Sequence, residues 1–541
     1  VNLQQTGRSP GNSILRASAN SLITATNLLL EVALDDAVAG GSVGTAAQPM
    51  RVTVSNLESH THEASPGIFI DSPTQGLTIG GVPFFTGSVK GVQNVTSGDI
   101  SVTANGSLTT LPGTAGCGPT GGTGGPVCTG SSITLAAGNG DLSIGNVITH
   151  IGAGTGSLTA RATNSILVGG GANITSAGGA FGITLNSDSD ASGAGAISFG
   201  TGVAIAVNSN GGSILFGGGA GAAGFAVGEG SNGDGIALNN TTIDSGAGSV
   251  TMRGTGMPAG ASERGINILG GSVVRSTSGA IALTGIGGAG TSGNHGIRVS
   301  GAGSMVSTGS GSITMTGTGA GTTSNNNGIV IESGGVVETT SSGTISLAGT
   351  GGNGTSDNYG VRLNNGNLTS SGTGNISITG TGGAGSSTSN FGVLMQSSTV
   401  SGANGAISVS GTGGSSLSGT GGAYTSSSVG VYLATNGNIS SSGTGAISIT
   451  GTGGTVNGAS NYGVLVQSST VSGANGAISL SGTGGNGTFD NVGVYLDSSG
   501  NVTSSGTGNI SLSGWIAGYG PEEVKLSKGG CWQQAGYSQK S

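Results

Sequence analysis

Residues 391–414 read FGVLMQSSTVSGANGAISVSGTGG, and 71 positions later residues 462–485 nearly repeat them as YGVLVQSSTVSGANGAISLSGTGG. Each copy holds three apolar beats. A Gly opens an aliphatic–variable–aliphatic triplet (Val393-Leu394-Met395), a shorter beat follows (Val400), and a second triplet (Ile407-Ser408-Val409) is closed by Gly. Alternation at period two marks a short strand with one buried face, and the Gly, Asn and Ser clusters between beats mark corners. A three-strand unit of this size cannot bury its apolar face alone, so units must stack and share a core.

Outward from this stretch, the opening Gly recurs as Gly235, Gly265, Gly296, Gly328, Gly360, Gly392, Gly430, Gly463 and Gly493, at a mean interval of about 32 residues. The one long interval, 38 residues, comes from extra residues in Ser415–Ser428. The coils opened by Gly360, Gly430 and Gly493 share a second phrase, so the order is A-B-A-B-A and a two-coil unit has been duplicated. N-terminal beats (Arg51–Val54, Ile68–Ile70, Ile100–Val102, Ile133–Leu135, Leu142–Ile144, Ile183–Leu185, Ile197–Phe199) lack one fixed interval.

Composition agrees. Of 541 residues 120 are Gly, and charged residues are 6%, where about 25% is usual. Ten Pro and no three-residue Gly period exclude collagen. Regularly spaced apolar residues at minimal charge exclude disorder, and the density of Gly, Ser and Thr opposes helix. The predicted fold is all-β: a right-handed parallel β-helix, or β-solenoid, with about three short strands per coil of about 32 residues. Residues 1–130 are expected to be irregular early coils or a small β domain, 131–234 irregular coils, and 235–514 regular ones. Residues 515–541 are a non-repeat tail, read as a cap or a junction. The Gly residues are expected mainly at corners and loop tips, where positive φ is useful.

The phrases Asn173-Ile174-Thr175-Ser176, Leu185-Asn186-Ser187-Asp188-Ser189-Asp190, Ser209-Asn210-Gly211-Gly212-Ser213-Ile214 and the recurrent Ser-Gly-Thr-Gly-Asn-Ile-Ser resemble the β-helical repeats of filamentous haemagglutinin-like bacterial surface exoproteins. Val54–Glu58 and Leu77–Val82 are similar to irregular segments of such proteins, and the likeness spans roughly 50–514. The resemblance implies a secreted or cell-surface bacterial adhesin, with an outer-membrane secretion partner. Neither a signal peptide nor a secretion domain is evident from Val1 onward, so a fragment or processed chain is expected.

A net charge of −8 argues against nucleic acid, and no apolar run is long enough to span a membrane. Cys117 and Cys128 flank a short Gly/Pro-rich loop and are expected to form a disulfide if the chain is exported. Glu58, His60, His62 and Glu63 are the best metal-like cluster, but two histidines without a third ligand favour a solvated loop, and no metal or cofactor is expected. Asp188 and Asp190 fit a polar corner better than an acid–base pair. From Gly265 to Gly514 the eight charged residues look scattered, which argues against a β-helix enzyme.

Two ladders remain. Tyr359, Phe391 and Tyr462 share the parity of Val361, Val393 and Val464 and are expected inside the coil. The intervening position points outward and runs Arg298, Val330, Arg362, Leu394, Tyr432, Leu465, Tyr495. It predicts a lateral stripe able to grip a glycan or a surface protein, unless the long loops fold over it. Hydroxyls at Thr316/Thr318, Thr379/Thr381, Ser410/Thr412, Thr450/Thr452 and Ser481/Thr483 are expected at a corner, a poor base for ice binding. The expected function is therefore a structural adhesin segment. A carbohydrate-binding or carbohydrate-cleaving β-helix is the alternative, and an ice-binding solenoid the remote one.

Overall fold

A computed structural model of the chain describes residues 1–6, 13–33, 41–61, 65–83, 91–94, 97–113, 117, 125–385, 389–415, 427–455, 460–486, 490–514 and 516–518. All regular structure among them is strand, in parallel β-solenoid coils of about 31 residues with about three strands per turn, about 15 turns in all. The coils fall into two compact units, one of residues 1–232 and 236–253, the other of 233–235 and 254–541.

One coil of the second unit shows how the beats become a turn of the solenoid. Ile329–Glu332 is its first strand, Val336–Thr339 its second and Ile345–Thr350 its third. Each pairs in parallel with its counterpart in the next coil: Ile329 with Val361, Val336 with Asn367, Ile345 with Ile376. Parallel strands need a crossover, and here the rest of the coil supplies it. Ile329, Ile331, Val337, Ile345 and Leu347 point inward and are at most 1% exposed. Burying such a side chain stabilises by about 1.5–3 kcal/mol, so the repeated core is the main favourable contribution.

The corner after the first strand turns through positive φ, at Gly270 and Gly301 in two coils and at other residues in the coils that follow. Ser333, Asn365, Ser397, Thr435 and Ser468 occupy it with φ between 42° and 55°. The recurrent Gly residues instead serve close approach of backbone. A Cβ on Gly349, near the end of the third strand, would lie 2.1 Å from the Gly360 carbonyl oxygen, and one on Gly360 would lie 2.3 Å from the Thr381 nitrogen. The coil is pinched there, and the long loop leaves and returns through a gap too narrow for a side chain.

In the first unit the ladder Ile68, Ile100, Ile133, Leu158, Ile183, Ile214, Val250 runs through irregular coils at intervals from 25 to 36 residues. Pairing of Ile100 with Ile133 carries it across residue 130. Phe181, Phe199 and Phe216 are fully buried in this core, the latter two with ring centroids 5.5 Å apart. Cys117 is bonded to Cys128, Cα to Cα 5.7 Å, a constraint worth about 3 kcal/mol for so short a loop. Ile516–Gly518 pairs with Val494–Leu496 and continues the first ladder; residues 515 and 519–541, with Cys531, lie outside the described residues, as do 416–426 of the long insertion.

Candidate functional site

The stripe predicted on the outer face of the first strand is the natural place to look, and the structure covers much of it. Val330 is fully buried and Leu394 and Leu465 are each only 7% exposed. Arg298, Arg362, Tyr432 and Tyr495 are half-buried. The cover comes from the residue that precedes the opening Gly of each coil. Tyr359, Phe391 and Tyr462 do not join the inner core that their parity predicted; with Val429, Leu394, Ala434, Leu465, Tyr432 and Tyr495 they form a separate apolar seam on the outer side of the strand. The pinched Gly reverses the parity argument, because the chain changes direction there and period two no longer links the flanking residues.

Ring geometry shows how closed the seam is. Tyr359 and Phe391 stack with centroids 5.3 Å apart, Phe391 meets Tyr432 edge-on at 5.5 Å, and Tyr462 lies 5.0 Å from Tyr495. The Tyr432 hydroxyl donates to Gln467, whose Nε2 donates to Asp497 Oδ2 at 2.8 Å. Burial, and then the Asp497 charge, push the Tyr432 hydroxyl above its ordinary pKa. These rings bind one another, and little aromatic face is left for a ligand.

At its N-terminal end the same seam is polar. Three of the charges that looked scattered in sequence, Arg298, Glu332 and Arg362, come here beside Asp234, Glu263 and Arg264, because the coil period brings residues about 32 apart into neighbouring rungs. Arg298 Nε donates to Glu332 Oε1 at 2.8 Å. Asp234 accepts from the Arg264 backbone N–H at 2.8 Å and from Asn267 Nδ2 at 2.6 Å, and its Oδ1 lies 3.6 Å from Arg264 Nη1. Burial raises the pKa of Asp234, offset in part by Arg264, and burial followed by the Asp234 charge raises that of Glu263. Buried His295 is held well below its ordinary pKa by desolvation and then by Arg264, Arg298 and Arg362. Its Nδ1 accepts the Asn327 N–H at 3.3 Å, which fits a neutral ring. Every carboxylate of this cluster that an ion pair or hydrogen bond engages is committed to structure, and Asp234 has both oxygens occupied.

Beneath the seam runs a feature that the repeat phrases alone did not announce. Asn294, Asn326, Asn358 and Asn390, two places before the opening Gly, are all fully buried. Asn294 Oδ1 accepts the Glu263 N–H at 2.8 Å, Asn326 Oδ1 the Asn294 N–H at 3.1 Å, Asn358 Oδ1 the Asn326 N–H at 3.0 Å, and Asn390 Oδ1 the Asn358 N–H at 3.0 Å. Asn461 likewise accepts from the Ser428 N–H at 3.0 Å, whereas the shorter Ser428 breaks the row and its hydroxyl is buried with no partner. The recurrence of Asn before an aromatic and Gly was the signal that could have found this ladder. The second Gly of the Thr-Gly-Gly phrase is crowded from two sides, since a Cβ on Gly414 would come within 2.0 Å of the Gly383 carbonyl oxygen and 2.8 Å of Asn390 Cβ.

The hydroxyl rows also differ from expectation. They lie within the third strand rather than at a corner, because that strand runs six residues, Ile313–Thr318 in one coil, with Gly317 facing inward. Thr318, Thr350, Thr381, Thr412, Thr452 and Thr483 are exposed and in direct register.

The remaining candidates resolve into structure. Glu58 and His60 are buried in the strand Met50–Thr61, and His62 and Glu63 lie outside the described residues. Among the described residues no three His, Cys, Asp or Glu converge to hold a metal ion. Asp188 Oδ1 accepts from Ser192 Oγ at 3.0 Å and the Gly193 N–H at 2.9 Å, while Asp190 Oδ1 accepts the Ser192 N–H at 3.3 Å, so the two organise a tight corner. No described helix is long and apolar enough to cross a membrane. Compared with family models, with curated proteins and with solved structures, the chain finds no match, and what stands is a β-helical repeat protein.

Proposed function

We propose that the chain is a structural segment of a secreted or cell-surface bacterial adhesin of the filamentous haemagglutinin-like kind, a stack of rigid coils that attaches to host, neighbouring-cell or matrix surfaces. The observation that supports this reading is the interchangeability of the coils. Successive regular turns repeat the same core and the same pinch, a buried Asn recurs in most of them, and ion pairs such as Arg298–Glu332 tie one coil to the next. Such a chain lengthens by adding turns without disturbing a unique centre, which suits a spacer that carries attachment surfaces. Beads coated with the chain should be retained on cells or on matrix protein, and the chain should release no reducing sugar from polysaccharide. Retention no greater than that of albumin-coated beads would refute attachment, and turnover abolished by replacing a single acid would establish the carbohydrate-cleaving alternative.

A second reading has one observation behind it. The six Thr of the row from Thr318 to Thr483 sit in register on the outer face of a parallel sheet, with a rung spacing of about 4.8 Å. An exposed, charge-free lattice of hydroxyl and methyl groups suits ordered water. Ice-recrystallisation inhibition lost on replacing Thr381 and Thr412 with Tyr would support it, and no inhibition by the intact chain would end it.

A further inference from the structure

The first unit carries a surface cleft that none of the foregoing uses. It encloses about 380 Å³ on the outer face of the third-strand sheet and is walled at one end by Ala46 and Pro49. Its floor is set by register. Phe69, Ser101 and Thr134 stand side by side on three adjacent strands, and Gly67, Asp99 and Ser132 form the row beside them.

Phe69 is half-buried and its ring reclines along the strand over Gly67, where a Cβ would fall 2.6 Å from Cε2. That glycine lets the ring lie against the sheet, and it also brings the ring next to Asp99, the register partner of Gly67. Asp99 is exposed, and its Oδ1 accepts the Ser132 N–H at 3.1 Å. Outside the cleft, Asp71 lies 3.9 Å from Arg51 and accepts from Thr103 Oγ1 at 2.9 Å, so that pair balances itself. Asp99 is therefore the only formal charge among the lining residues.

From this geometry we infer that the cleft is a binding site for one or two rings of a neutral saccharide. A pyranose has an apolar face that an aromatic ring covers and a rim of hydroxyls that need hydrogen-bond partners. Phe69 supplies the first, and Asp99, Ser101, Ser132 and Thr134 supply the second. The Asp99 carboxylate, which has no ion-pair partner among the described residues, repels uronates and sulfated sugars while accepting from a hydroxyl, which gives a charge-assisted bond. The site binds without cleaving: Asp71 and Asp99 are offset by four residues along the strands, about 13 Å, well beyond the spacing of a glycosidase pair. This assignment goes beyond the attachment reading and does not depend on the second unit.

The test uses the full chain with cellohexaose, chitohexaose, maltohexaose, xylohexaose and mannohexaose, and hexagalacturonate as the charged counterpart, followed by saturation-transfer NMR and calorimetry. At least one neutral hexamer is expected to bind, hexagalacturonate at least tenfold more weakly. Phe69→Ala should weaken binding at least tenfold. Asp99→Asn, which keeps the acceptor for Ser132 and needs no change of fold, should do the same. Binding of none of the five, binding unmoved by Asp99→Asn, or equal binding of hexagalacturonate would each overturn the inference. If coated beads still adhere while no hexamer binds, the cleft proposal fails and the adhesin reading stands; hexamer binding without bead adhesion upholds the cleft and refutes the adhesin reading.

Discussion

Replacing Asn358 by Ala removes one rung of the buried ladder. Its Oδ1 accepts the Asn326 N–H at 3.0 Å and its Nδ2 donates to Asn390 Oδ1 at 3.2 Å, in a residue with no exposed surface. Orphaning a buried backbone donor costs about 1–3 kcal/mol, and the lost side-chain bond adds about 0.5–1.5 kcal/mol. A net loss of about 2 kcal/mol is a roughly 30-fold rise in the opening equilibrium. Hydrogen exchange followed by mass spectrometry should therefore show a peptide covering 320–330 exchanging roughly 30 times faster, while first-unit peptides stay unchanged. Asn404→Ala is the internal control. Asn404 Oδ1 accepts from the Thr444 N–H at 3.3 Å in an exposed corner, where water replaces the lost partner, so exchange there should change little. Equal effects of the two variants, or no acceleration in Asn358→Ala, would refute the claim that burial makes this ladder stabilising.

His295 predicts a pH effect with a definite sign. Its folded pKa is depressed, so below about 6.5 the unfolded chain binds a proton that the folded chain does not, and stability falls on acidification by up to about 1.4 kcal/mol per pH unit. His295→Asn places there the residue that the next coil carries at Asn327, and the difference between the two urea midpoints should shrink or change sign from pH 7 to pH 5; parallel curves would contradict it. In the seam, Val429→Phe should cost about 1–3 kcal/mol by overpacking against Tyr432. Adding Tyr432→Leu should recover at least half of that loss in a double-mutant cycle, and simple additivity would show that the two sites do not share volume.

The solenoid was legible because its signal is repeated: period-two beats at a fixed interval leave few other ways to bury Ile345, Leu347 and their equivalents. The outer seam was legible only in part. Parity placed Val361 and Val393 correctly, but it carried Tyr359 and Phe391 inside with them, since nothing in period two records that the chain pinches at Gly360 and Gly392. Glycine itself misled for a related reason. Its abundance suggested positive φ at corners, which holds at Gly270, Gly301 and Gly334, but in later coils Asn365 and Ser397 make that turn, and Gly349 and Gly360 relieve backbone crowding. The charge cluster around His295 was hidden because Asp234, Arg264, Arg298 and Glu332 are neighbours only through the coil period. The Phe69 cleft lies in irregular coils, where no repeat announces the register that joins Gly67 to Asp99.

The seam also explains why the duplicated unit is two coils rather than one. From the coil of Gly392 onward, the residue before the opening Gly and the outward residue of the first strand share a single space, whereas the coil before it holds Tyr359 and Arg362. The pairs run Phe391 with Leu394, Val429 with Tyr432, Tyr462 with Leu465, and Val492 with Tyr495. One member is aromatic and the other aliphatic, and the aromatic alternates between loop and strand from coil to coil. Rungs only about 4.8 Å apart are too close for rings of identical placement to adopt edge-on contacts. Alternation lets Phe391 meet Tyr432 at 85°. Loop ring can also stack on loop ring, as Tyr359 does on Phe391 at 17° where the row begins; from Phe391 on, a two-coil duplication preserves the alternate packing at each new junction. From Phe391 onward the A-B period thus matches the packing, and it lets this part of the chain grow by pairs of turns without redesigning the face that closes over its first strands.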